Sequence, residues 1–109
     1  MGMDRPLPSF SRKRVDEDLK LTYEFANALA SNEAISTATV TATVLSGTDA
    51  SANAILSGSA VISGTKITQL VVNGIDGVTY LLRYRATTDQ SQILNGMASL
   101  RIDDTEPED

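Results

Sequence analysis

Residues 37–44 of this 109-residue chain read TATVTATV, in which threonine alternates strictly with alanine or valine. Successive side chains of a β-strand point to opposite faces of its sheet, so a period of two residues indicates a strand. Residues 78–87 read VTYLLRYRAT and alternate in the same way, with the tyrosines on one face and the arginines on the other. These two segments therefore predict strands that bury one face and expose the other.

The remaining apolar segments are separated by short connections rich in glycine, asparagine and serine. They occupy residues 19–25, 54–63, 66–72 and 92–102. Gly58 interrupts the segment at residues 54–63, which therefore predicts one or two short strands. Residues 26–33 predict a connection with at most one helical turn. About seven short strands at this spacing predict an all-β protein, an antiparallel Greek-key β-sandwich, with a closed barrel as the alternative.

A further signal lies at residues 76–80, which read DGVTY. In immunoglobulin-like sandwiches, a tyrosine near the start of the penultimate strand forms a hydrogen bond with backbone a few residues upstream, an arrangement called the tyrosine corner. The position of Tyr80 fits this role, and Asp76 could bridge the turn before it. The motif predicts a structural use of Tyr80 and makes the sandwich immunoglobulin-like.

The chain contains neither cysteine nor histidine. It therefore has no thiolate nucleophile, disulfide or cysteine-based metal site, and it lacks the most common general base and metal ligand. We also find no glycine-rich phosphate loop and no closely spaced set of oxygen ligands for calcium. We expect no enzymatic activity, no catalytic residue, no bound metal and no cofactor.

The formal net charge is −5, and it is unevenly distributed along the chain. Residues 103–109 contain only acidic charges, and without them residues 1–102 are neutral. A neutral body without clustered lysine and arginine does not favour nucleic-acid binding. No apolar segment is long enough to span a membrane, and the charged N-terminus lacks the apolar region of a signal peptide. We predict a folded domain at residues 19–102 followed by an acidic tail at residues 103–109.

Residues 1–18 differ from the domain that follows, because two prolines and a basic triplet precede three acidic residues. Proline favours extended backbone, and the segment has too few apolar residues to fold alone. It is either a disordered terminus or an extended arm that becomes ordered on a neighbouring subunit. For the arm, the candidate partner-binding residues are Leu7, Phe10, Arg12, Lys13 and Arg14.

The last two predicted strands place Arg83, Arg85 and Arg101 on one outward face. One interpretation is a solvated face whose charges protect the sheet from aggregation. The other is a patch that meets an acidic surface, for example the acidic tail of a neighbouring copy.

Two parts of the chain carry a family resemblance. Residues 13–25 read KRVDEDLKLTYEF and lead through mixed charges into a strand ending in Tyr-x-Phe, whereas residues 77–89 read GVTYLLRYRATTD and are followed by SLRI at residues 99–102. These segments resemble the two ends of a family of small immunoglobulin-like structural proteins of tailed-phage virions. The chain has Ala-Asn at residues 26–27 where the family has Asp-Trp, and Asn-Gly at residues 73–74 where it has paired glycines.

The resemblance implies a virion protein that is assembled in the cytoplasm of the bacterial host and encoded among head and neck genes. Our first hypothesis is a capsid decoration or cement protein that binds the lattice of the major capsid protein through its sandwich and N-terminal arm. The alternative is a neck or tail ring component, a connector or terminator, which forms a homo-oligomer and binds other neck or tail virion proteins. A third hypothesis, a carbohydrate- or host-binding adhesin module, follows from the sandwich fold alone.

Overall fold

The computed structural model of the chain describes residue 10 and residues 12–104. This part of the chain contains six strands and two single-turn 3-10 helices, and no α-helix. The strands are β1 (Leu19–Glu24), β2 (Ile35–Ser46), β3 (Leu56–Ser63), β4 (Lys66–Val71), β5 (Thr79–Thr88) and β6 (Ile93–Arg101). The 3-10 helices, Ala26–Ala28 and Ala52–Ile55, lie in the connections on either side of β2.

The six strands form two antiparallel three-stranded sheets, in the order β1–β4–β3 and β2–β5–β6. The chain changes sheet after β1, after β2 and after β4, whereas β3–β4 and β5–β6 are hairpins within one sheet. Buried side chains of both sheets belong to a single hydrophobic core. The predicted all-β, antiparallel architecture is confirmed, and the closed barrel is not, because the described strands separate into two sheets.

The described residues contain six strands rather than about seven, because residues 54–63 form one strand and not two, both of which the sequence allowed. β3 continues through Gly58 by means of a bulge, which adds extra residues between Ser57 and Val61. The φ of Gly58, 73°, lies in the left-handed region that glycine adopts easily. The buried amide group of Gln69 donates hydrogen bonds to the carbonyl oxygens of Ser57 (3.1 Å) and Gly58 (3.3 Å), which holds the bulge in place.

The alternation read from the sequence is also the alternation of burial in the structure. In β2, the alanines and valines at even positions face the core, and the threonines face solvent. The fully buried side chains of β5 are Tyr80, Leu82, Tyr84 and Ala86. Removing these apolar groups from water supplies the main free energy that stabilises the two-layer arrangement.

Tyr23 of β1 packs directly against β6 of the other sheet. The Tyr23 ring occupies the space in which a Cβ of Gly96 would lie, and its centroid is 5.5 Å from that of Tyr84. The Tyr84 hydroxyl donates a hydrogen bond to the carbonyl oxygen of Leu21 (2.8 Å), and burial raises the pKa of this hydroxyl. One aromatic cluster therefore bridges the two sheets.

The described part of residues 1–18 runs beside the edge of β6. The Lys13 amide donates a hydrogen bond to the carbonyl oxygen of Arg101, and the Asp103 amide donates one to the carbonyl oxygen of Lys13, both at 2.9 Å. Lys13 and Ile102 form a parallel β-bridge. The N-terminal segment thus covers part of the β6 edge of its own domain.

Candidate interaction surfaces

The outer surface of the β2–β5–β6 sheet is formed by the odd-numbered residues of 37–43, 79–87 and 93–101, and we call it the arginine face. Arg83 and Arg85 lie at its centre and are exposed. Their outward orientation is the one that the alternation of β5 predicted. The face therefore presents two neighbouring guanidinium groups from the middle strand of a sheet.

The composition of the arginine face is that of a contact surface. It carries threonine, arginine and a few apolar side chains, and no lysine, aspartate or glutamate. Arginine and methionine are enriched at protein interfaces, whereas lysine, aspartate and glutamate are depleted there. Met97 is 38% exposed and Ile93 is 51% exposed, so the face also offers open apolar area.

Arg83 and Arg85, the two central arginines, have no negative partner in the described part of the chain. Strand register places Arg83 between Thr41 and Met97, and its guanidinium contacts the Met97 sulfur at 3.9 Å. Within residue 10 and residues 12–104, neither Arg83 nor Arg85 forms an ion pair. The centre of the face is therefore positively charged and not neutralised by its own domain.

The outer surface of the β1–β4–β3 sheet is different, because it carries charges of both signs, among them Lys20, Glu24 and Lys66. The Glu24 carboxylate accepts hydrogen bonds from the Thr65 hydroxyl and from the Ala26 amide. These hydrogen bonds, that with Thr65 above all, hold the pKa of Glu24 below its usual value. Mixed and internally bonded charges are typical of a solvated surface, which distinguishes this sheet from the arginine face.

Of the predicted partner-binding residues, Leu7 lies outside the described residues, and Phe10 packs on its own domain. The Phe10 amide donates a hydrogen bond to the carbonyl oxygen of Ser99 (2.9 Å). Its ring lies 6.2 Å from that of Tyr84, measured between centroids. Phe10 therefore extends the aromatic cluster of its own chain, and a contact between this residue and a partner stays a prediction.

Lys13 is buried inside the domain, with 0% of its surface exposed. Its ammonium donates hydrogen bonds to the carbonyl oxygens of Arg14 (2.7 Å), Val15 (3.3 Å) and Asn73 (2.7 Å), which use all three of its donors. Burial lowers the pKa of Lys13, and nearby carboxylates, Asp18 first among them, oppose that shift. The Lys13 ammonium thus ties the N-terminal segment to the β4–β5 connection, and a contact between Lys13 and a partner stays a prediction.

Arg12 and Arg14 hold the first two residues of the predicted acidic tail. Arg12 forms an ion pair with Asp103 at 3.4 Å, and the Arg14 guanidinium donates a hydrogen bond to the carbonyl oxygen of Asp104 at 3.3 Å. The base of the tail is therefore part of the folded domain. Residues 105–109 lie outside the described residues.

Tyr80 is fully buried, and its hydroxyl makes two hydrogen bonds. It accepts one from the Ile75 amide (3.1 Å) and donates one to the Asp49 carboxylate (2.6 Å). Asp76, the predicted bridge, instead accepts a hydrogen bond from the Asp104 amide (2.9 Å). Burial raises the pKa of Tyr80 to about 12, and the hydrogen bond from Tyr80 lowers the pKa of Asp49.

Two polar residues, Asp49 and Asn53, organise the fold in roles that the sequence did not indicate. Asp49 is the carboxylate partner of Tyr80, and the Asn53 side chain accepts a hydrogen bond from the Ala42 amide (2.8 Å) at the open edge of β2. Both lie in the connection after β2, which has no periodic pattern. The tertiary fold, and not the local sequence, brings Asp49 to Tyr80 and Asn53 to Ala42.

None of the helices among the described residues is long and apolar enough to cross a membrane. No group of three or more acidic, histidine or cysteine side chains among the same residues is placed to hold a metal ion.

Residues 13–101 match the model of a protein family described as Gp77, podophage GP4 fiber-tail adaptor protein gp77. The matched residues include both sheets and the arginine face. No similar protein was found among curated proteins or among solved structures.

Proposed function

Because this chain belongs to the family of the podophage GP4 fiber-tail adaptor protein gp77, we propose that it joins a fiber to the tail of a phage virion. The chain is a phage virion structural protein, and the proposal adds the tail as its location and a fiber as one of its partners. The observation that carries the proposal is the family match over residues 13–101.

The two-layer fold supports an adaptor role. An adaptor must bind two partners at once, which requires two surfaces that do not overlap. The arginine face and the outer surface of the β1–β4–β3 sheet lie on opposite sides of the domain and differ in composition. Binding at the arginine face therefore leaves the other sheet open to a different partner.

The proposed role is structural and involves no catalysis, in keeping with the lack of histidine and cysteine. The adhesin hypothesis has less support, because sugar-binding sites usually present an exposed aromatic ring on which the sugar stacks. All five aromatic residues of the chain, Phe10, Tyr23, Phe25, Tyr80 and Tyr84, are buried or half-buried.

We also propose that the sandwich is immunoglobulin-like. In that fold one sheet contains strands B, E and D, and the other contains C, F and G. The orders β1–β4–β3 and β2–β5–β6 correspond to these if β1 is taken as strand B. Tyr80, near the start of β5, then occupies the position of the tyrosine corner in strand F.

The test is to prepare virions without this protein and to examine them by cryo-electron microscopy. We expect intact, filled heads with tails that lack their fibers, and full restoration when the protein is supplied. In wild-type virions, density for the protein should lie between fiber and tail. Density distributed over the capsid lattice, at a copy number close to that of the major capsid protein, would overturn the proposal in favour of capsid decoration.

A further inference from the structure

We propose that the arginine face binds the acidic C-terminal segment, residues 103–109, of a second copy of this chain. The inference goes beyond the adaptor role, because it concerns contacts between copies and not the contact with a fiber. It rests on the charge of the face, the charge of the segment and the path of the chain between them.

The face is built to receive negative charge. Arg83 and Arg85 are neighbours on one side of β5, and like charges at this spacing repel each other until an anion lies between them. Register places Thr41 beside Arg83 and Thr39 beside Arg85, and threonine hydroxyls can also donate hydrogen bonds to carboxylates. No acidic side chain on the face competes for these donors.

The C-terminal segment is the matching ligand within the same sequence. Residues 103–109, DDTEPED, contain acidic residues and no basic one, whereas the acidic run at residues 16–18 is separated from a basic triplet by Val15 alone. Asp103 is held at its base by ion pairs with Arg12 (3.4 Å) and Arg101 (3.5 Å). The segment therefore begins at a defined position on the domain.

The path of the chain favours a second copy over the same copy. β6 passes Arg83 at Met97 and runs on to Asp104, about 20 Å further along an extended chain. Asp104 is held there by the Arg14 guanidinium and by Asp76, so the described part of the segment lies away from the centre of its own face. A segment placed on the face of the next copy makes a head-to-tail contact, which closes into a ring or continues as a chain.

The test uses the purified full-length protein and a fluorescent peptide of residues 103–109. We expect the peptide to bind the wild type with an affinity that falls as salt rises, and the double variant Arg83→Gln/Arg85→Gln to bind about tenfold more weakly. Lys20→Gln/Lys66→Gln is the matched control, since it removes the same charge from the opposite sheet and should leave binding unchanged. At a protein concentration at which the wild type is monomeric, a chain truncated after Asp104 should bind the peptide as the wild type does.

Three results would overturn the inference. The first is no binding of the peptide, and the second is binding that the double variant retains. The third is tighter binding to the truncated chain than to the wild type, which would mean that the segment covers the face of its own copy. Since both double variants change exposed side chains, unchanged circular dichroism should confirm their folding. If Arg83→Gln/Arg85→Gln no longer self-associates but virions that carry it keep their fibers, the contact between copies is distinct from the adaptor role.

Discussion

The hydroxyl of Tyr80 joins two separate connections of the chain, because it bonds both the Ile75 amide and the Asp49 carboxylate. Tyr80→Phe keeps the ring and leaves the amide without its partner. We expect the free energy of unfolding, measured with urea, to fall by about 1–3 kcal/mol. Tyr23→Phe is the control, since no hydrogen bond of the Tyr23 hydroxyl is found within the described residues. Equal losses in the two variants would contradict this role of Tyr80.

Tyr80 also makes the free energy of unfolding depend on pH in the alkaline range. The pKa of Tyr80 is raised from 10.0 to about 12, so its neutral form is favoured in the folded state. Its contribution is complete below pH 10 and is lost as the pH rises towards 12, by up to about 2 kcal/mol. The lowered pKa of Lys13 acts in the opposite direction over the alkaline range. Subtracting the unfolding free energy of Tyr80→Phe from that of the wild type at each pH removes the Lys13 contribution, and a constant difference would contradict the prediction.

Between elements, the contact of β1 with β6 depends on the absence of a side chain at Gly96. A Cβ there would overlap the Tyr23 ring, which is held on its other side by Phe25 and Tyr84. We expect Gly96→Ala to lower the free energy of unfolding by about 1–3 kcal/mol through overpacking. Asn95→Ala, at the exposed neighbouring position, should change it little.

A double-mutant cycle separates this packing effect from a loss of strand propensity. Tyr23→Ala removes the ring and empties the space that the new methyl group needs. The combined variant should therefore be more stable than the sum of the two single losses indicates. Additive losses, measured by urea denaturation, would show that Gly96 is required for a reason other than the Tyr23 ring.

At the scale of the whole molecule, the two chain ends meet beside β6. Asp103 and Asp104 are bonded to the N-terminal segment and to the β4–β5 connection. Truncation after Asp104 should leave the melting temperature unchanged, whereas truncation after Ile102 should cost about 1–2 kcal/mol. An equal loss in both truncated chains would place the stabilising contacts in residues 105–109 instead. The described base of the tail is therefore structural.

The element pattern was predictable where it depended on neighbouring residues. The strict alternation at residues 37–44 and 78–87 predicted β2 and β5 together with their buried faces, and the outward position of Arg83 followed from it. Gly58 left open whether residues 54–63 form one strand or two, because a bulge and a turn both favour glycine. The buried Gln69 that closes the bulge lies in another strand and gives no local signal.

The sequence by itself determined the all-β class, the faces of the strands, the exclusion of histidine and cysteine chemistry, and the separation of a neutral body from an acidic end. These are properties of composition and of residues one or two positions apart. Only the tertiary structure decided that Lys13 is buried, that Asp49 is bonded to Tyr80, and that Arg83 and Arg85 form no ion pair within the described residues. Each of these depends on side chains far apart along the chain, whose distances are fixed by how the two sheets pack.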